Sequence, residues 1–118
     1  MSVNDIRNAI TTELFEVREG ENNTNATFIL GNEDHTLGNA LRHVLINKSK
    51  TEFCGYSIPH PYEPKLHLRL QSNDNNITSL DLFKEGLKDL EQTSIILENE
   101  FVRALKEFDN SSNKKKAK

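Results

Sequence analysis

A single cysteine, Cys54, stands in 118 residues, so no intramolecular disulfide can form and burial alone must hold the chain together. That points to a reducing, intracellular compartment. No stretch approaches the ~18 apolar residues of a membrane span. Met1 to Ile10 lacks the basic start and apolar block of a signal peptide, so a soluble chain is expected. Basic residues are not in excess: 15 Lys and Arg against 18 Asp and Glu leave a net charge of -3. A surface built throughout to grip phosphate backbones would read as strongly basic, so any nucleic-acid contact would be local. Apolar residues make up only 35 %, which implies a thin core in a chain of one-domain length. Asn-x-Ser/Thr triplets begin at Asn22, Asn25, Asn47, Asn76 and Asn110; without a secretory signal they carry no weight.

Catalytic and metal-binding patterns are missing as well. There is no HExxH, no paired Cys-x-x-Cys, no G-x-S-x-G and no phosphate loop. The titratable candidates are His35, His43, His60, His67 and Cys54, with Glu33, Asp34, Glu52 and Glu63 nearby, and their spacings match no catalytic template. His43 and His67 fall on polar faces, His60 between two prolines reads as a loop packing residue, and Cys54 in an apolar strand behaves as a small buried hydrophobe. No cofactor, metal or catalytic residue is expected.

What is present is amphipathic pattern. Thr12 to Arg18 and Ala26 to Leu30 read as strands on either side of a polar loop. From Thr36 to Asn47, Leu37, Ala40, Leu41, Val44 and Leu45 share one helical face, with Asp34 or Thr36 able to cap its start. Gly38 costs that helix up to about 1 kcal/mol relative to alanine, so either a weak helix is tolerated or, the favoured reading, another backbone approaches closely there. Glu52 to Ile58 reads as a strand stopped by Pro59, Pro61 and Pro64. Lys65 to Gln71 alternates strictly, with Leu66, Leu68 and Leu70 on one face. A long helix then starts near Thr78 or Ser79 and runs to about Phe108. The expected organisation is an N-terminal segment (residues 1–11), one domain (12–108) and a disordered basic tail (109–118). The order β-β-α-β-β-α gives an α+β, two-layer fold, a four-stranded antiparallel sheet with two helices.

The last helix carries the functional signal. Leu80, Phe83, Leu87, Leu90, Ser94, Leu97, Phe101, Ala104 and Phe108 hold a heptad register, and Leu82, Ile95, Ile96, Val102 and Leu105 form a second apolar set. Thirty residues span about 45 Å, whereas a compact chain of this length is roughly 35 Å across. The helix should therefore overhang its own sheet and offer an apolar stripe to a partner. The alternative is that the stripe packs wholly on this chain's sheet and first helix.

Three strings give the pattern a family. Glu33 to Arg42 (EDHTLGNALR), Glu52 to Pro61 (EFCGYSIPHP) and Glu63 to Gln71 (EPKLHLRLQ) resemble the small α-like subunits of cellular RNA polymerases, in the branch shared by polymerases I and III. The polymerase II branch typically has alanine in place of Cys54 and differs after the tyrosine. The resemblance spans roughly Ala26 to Leu105 and departs at Asn47-Lys48-Ser49-Lys50, where the family usually carries Asn-Pro.

The resemblance implies a fold like the dimerisation domain of the polymerase α subunit. It also implies a noncatalytic role: heterodimerisation with a larger α-like subunit, followed by assembly of the large catalytic subunits, with no membrane and no specific nucleic-acid contact. Carried over by motif, the partner interface would comprise Leu37, Gly38, Ala40, Leu41, Val44 and Leu45 with Leu87, Leu90, Leu97 and Phe101. Glu33, Asp34, His35, Thr36, Asn39 and Arg42 complete the motif, and the location implied is the nucleus with its nucleolus. A homodimeric binding module, the equivalent polymerase II subunit and a small histidine-dependent enzyme are the alternatives.

Overall fold

The alternation in KLHLRLQ decides the sheet. In the computed structural model, which describes residues 14–116, the order is β1 (Phe15–Glu19), β2 (Asn25–Gly31), α1 (His35–Ile46), β3 (Thr51–Ser57), β4 (Lys65–Ser72) and α2 (Ser79–Lys116). The expected N-terminal segment, with Thr12 and Glu13 of the first expected strand, lies outside the described residues. The element order and types are those expected from the sequence. The strands form one antiparallel sheet in the order β1-β2-β4-β3.

Register puts one apolar face together. Ala26, Phe28 and Leu30 of β2 lie opposite Leu70, Leu68 and Leu66 of β4, and Cys54 and Tyr56 of β3 lie opposite Leu70 and Leu68. Because side chains alternate along a strand, all of these point inward, where Leu41, Leu45, Leu82 and Phe83 of the helices cover them. The rings of Phe28 and Phe83 stack at 4.2 Å between centroids, and Phe15 extends the stack from β1, 6.0 Å from Phe83.

Both helices start on local capping chemistry. The Asp34 carboxylate accepts the Thr36 backbone N–H at 2.9 Å, satisfying one of the donors a helix start leaves open. Of the two N-cap candidates for the long helix, Thr78 serves: its hydroxyl accepts the Asp81 N–H at 3.1 Å. Ser79 instead donates its backbone N–H (2.9 Å) and its hydroxyl (3.3 Å) to the Asn23 carbonyl, fixing the helix start to the β1–β2 turn.

Two expectations change. Gly38 is a close-approach site, but what approaches is side chains of the chain's own sheet and not another backbone. A Cβ there would stand 2.8 Å from Leu66 Cδ1 and 2.8 Å from the Tyr56 ring. The long helix does not end near Phe108; it continues through Asp109 to Lys116, 38 residues in all, so residues 109–116 of the expected disordered tail extend the helix, and the last two lie outside the described residues. No Gly or Pro interrupts this stretch, and its lysines fall at the negative end of the helix dipole.

Candidate protein interface

The inner face of α2 is set by Ser79, Leu82, Phe83 and Gly86, all buried, with Leu90 partly buried. At Gly86 the two helices touch: a Cβ there would lie 2.5 Å from Leu45 Cδ2 and 2.8 Å from its Cγ. Just past α1, the Lys48 ammonium donates to Asp89 at 2.6 Å and lies 3.6 Å from Glu85, and these carboxylates hold the Lys48 pKa above its ordinary value.

Beyond Leu90 the cover stops. Every residue from Glu91 to Ser111 is exposed. Leu97 is 70 % exposed, Phe101 64 % and Phe108 69 %, with Ile95, Ile96, Val102 and Leu105 also bare. Leu90, Leu97, Phe101 and Phe108 are spaced by seven, four and seven, so the face that meets the core in the first three turns continues unpartnered along the rest of the helix. Thirty-eight residues at 1.5 Å make about 57 Å of helix. The radius of gyration is 19.4 Å, against the ~13 to 14 Å of a compact chain this long.

The two expected apolar sets of α2 are redistributed. Leu82, placed in the second set, is fully buried in the core, while Leu80 and Leu87 of the heptad register remain 39 % and 40 % exposed. A heptad pattern marks apolar positions without saying which of them the chain's own sheet reaches.

The α1 positions also divide. Gly38, Leu41 and Leu45 face inward, and Leu41 and Leu45 are fully buried in the chain's own core. They dock α1 on the sheet and have no surface to offer a partner. Leu37, Ala40 and Val44 are half-buried, as is Leu90, while Leu87, Leu97 and Phe101 are open. Phe15 and Val17, on the inner face of β1, were not expected at an interface, yet they are 51 % and 36 % exposed. Their same-face spacing of two was legible; that no helix would cover that end of the sheet was not.

The motif residues Glu33 to Arg42 seat α1. The Thr36 N–H holds the Asp34 carboxyl below its ordinary pKa, and His35 Nδ1 lies 3.1 Å from the Tyr56 hydroxyl, with the two rings edge to face. Glu33 is half-buried, and Thr36, Asn39 and Arg42 are exposed.

The titratable candidates do not gather at one site, although His60, Glu63 and His67 share a shallow cleft on the outer face of the sheet. His43 is exposed on α1, and His67 sits half-buried on the opposite face of the sheet. His60 is an exposed loop residue rather than a packed one, its ring 3.9 Å from the Glu63 carboxylate. Cys54 is buried as expected. Burial pushes its thiol up to about 11, against the opposing pull of Arg42. Among the described residues no group of three or more His, Cys, Asp or Glu side chains is placed to hold a metal ion, and no helix is long and apolar enough to cross a membrane.

A small α+β domain whose longest helix is half uncovered is built to be completed by another chain. Residues 25–100 match the RNA polymerase Rpb3/Rpb11 dimerisation domain, and the chain belongs to that family. It is 45 % identical over 86 residues to the DNA-directed RNA polymerases I and III subunit RPAC2 of Saccharomyces cerevisiae, covering 73 % of this chain and 60 % of the yeast protein. The corresponding I and III subunit of Dictyostelium discoideum, rpc19, is 46 % identical over 68 % of each chain; that organism's polymerase II subunit rpb11 is 35 % identical. Among solved structures, DNA-directed RNA polymerase subunit L of Thermoplasma acidophilum superposes with a TM-score of 0.67 at 18 % identity. That match covers 81 % of this chain and 92 % of the archaeal one, and it shows that the fold is shared.

Proposed function

We propose that this chain is a noncatalytic assembly subunit shared by DNA-directed RNA polymerases I and III. It pairs with a larger α-like subunit, and the pair supports assembly of the large catalytic subunits for transcription of rRNA, 5S rRNA and tRNA in the nucleus, including the nucleolus. The observation that carries the reading is the run of exposed helix from Glu91 to Ser111 with its uncovered Leu97, Phe101 and Phe108. Contiguous exposed apolar surface marks an interaction site, and at about 1.5 to 3 kcal/mol per large side chain buried, covering this stretch yields enough to hold two subunits together. The higher identity to polymerase I and III subunits than to the polymerase II subunit supports the choice of enzyme.

The contact surface of this reading comprises Leu37, Ala40 and Val44 of α1, Leu87, Leu90, Leu97 and Phe101 of α2, and the bare inner side of β1 at Phe15 and Val17. Sedimentation tests it. Alone, the chain self-associates; mixed with the larger α-like subunit it becomes a 1:1 species. A symmetric homodimer indifferent to that subunit would overturn the proposal in favour of a homodimeric module.

A further inference from the structure

Glu98 is the odd charge on α2. Every other acidic side chain of that helix has a cation within reach. Lys48 meets Glu85 and Asp89, and Arg103 bonds Glu100 at 2.7 Å and Glu107 at 2.8 Å. Asp81, Glu91 and Asp109 each have a lysine three positions away, at Lys84, Lys88 and Lys106, a spacing at which helical side chains meet. Glu98 has none. Three and four positions to either side of it stand Ser94, Ile95, Phe101 and Val102, and among the described residues its carboxylate makes no ion pair.

Those neighbours put the charge inside the uncovered surface. At about 100° per residue, Glu98 falls between Phe101 of the bare stripe and Val102 of the second apolar set, which are 64 % and 41 % exposed. Leu105, also bare, lies two turns further along the same line. A chain that covers both sets therefore encloses Glu98 as well. A carboxylate enclosed without a counterion is strongly destabilising, so the covering surface has to bring a cation to it.

A second copy of this chain brings the wrong charge. Laying residues 97–108 antiparallel on the same stretch of another copy sets Glu98 level with Glu107 of that copy, and laying them parallel sets Glu98 level with its own counterpart. Like charges juxtaposed across an interface disfavour that pairing. The basic residues of the stretch are placed elsewhere: Arg103 holds Glu100 and Glu107, and Lys106, nine residues from Leu97, falls on the far side of the helix.

We propose that Glu98 sets the charge specificity of this interface: the larger α-like subunit meets it with an Arg or Lys beside its own apolar seam, and the same carboxylate keeps two copies of this chain from pairing tightly. The inference rests on the reading that the larger subunit covers this stripe.

The test titrates the full-length chain with the larger α-like subunit by calorimetry. Glu98→Gln should weaken pairing about tenfold and Glu98→Lys about a hundredfold or more, while Glu98→Asp keeps most of the affinity. Glu100→Gln, whose charge is already met within the helix, should stay within about threefold of wild type. Added salt should weaken the wild type more than Glu98→Gln. Sedimentation of the free chain should move the other way: Glu98→Gln removes the like-charge contact and tightens self-association several-fold. Circular dichroism checks folding. Glu98→Lys affinity within threefold of wild type, a loss in Glu98→Gln no greater than in Glu100→Gln, or weaker self-association of Glu98→Gln would each overturn the proposal and leave the assembly role standing. A wild-type chain that does not pair with the larger subunit would overturn both.

Discussion

Replacing Phe101 with glutamate separates pairing from folding. The ring is 64 % exposed, and an aromatic side chain buries about 150 to 250 Å² in total, so roughly 130 Å² remain for a partner to cover. At ~25 cal/mol per Å² that is about 3 kcal/mol. A carboxylate driven into the apolar seam adds at least about 1 kcal/mol of desolvation cost. The sum, about 4 kcal/mol, is roughly a thousandfold in affinity. In the free chain the same change removes no packed contact, and glutamate forms helix at least as well as phenylalanine, so folding stability should move by no more than ~0.5 kcal/mol. Titration calorimetry against the larger α-like subunit reads the first quantity, and thermal unfolding followed by circular dichroism reads the second. Affinity within threefold of wild type would refute the placement of the interface. A large loss of stability in the free chain would show that Phe101 packs at home.

Three further expectations concern the scaffold. Gly38→Ala should destabilise by about 1 to 2 kcal/mol in urea unfolding despite alanine's better helix propensity, because the added methyl meets Tyr56 and Leu66 at 2.8 Å in a closed core. Asp34→Ala should cost about 1 kcal/mol by the same assay. Since the native Asp34 pKa is lowered, the cap's contribution is present above the unfolded value of 3.8 and fades as pH falls through the native one, whereas Asp34→Asn should keep most of it without the acid dependence. Cys54, raised to about 11 from 9.0, should carry about a hundredfold less thiolate at pH 8 than in the unfolded chain. Its alkylation by iodoacetamide should therefore follow unfolding, and the stability it lends below pH 9 should be lost as pH rises through 9 towards 11.

Much of this architecture can be read directly from residue pattern. The alternation of Leu66, Leu68 and Leu70 fixes which face of β4 is dry, and the spacing of Leu41 and Leu45 fixes the sheet side of α1. What pattern cannot supply is the reach of each element over its neighbours. Leu82 and Leu80 are equally apolar two residues apart, yet only Leu82 meets the sheet. Gly38 announces a close approach without saying whether a partner or the chain's own Tyr56 makes it, and Gly86, which admits Leu45, gives no sign in its neighbours.

Hydrogen exchange across α2 tests the central claim most directly. In the free chain kept monomeric by dilution, amides from Ser79 to about Leu90 should be protected, and those from Glu91 to Phe108 should exchange fast, since that half of the helix then has nothing packed on it. Adding the larger α-like subunit should slow exchange in the second half by orders of magnitude and leave the first half little changed. Full protection of Glu91 to Phe108 in a dilute, monomeric chain, or no change on adding the subunit, would contradict the account.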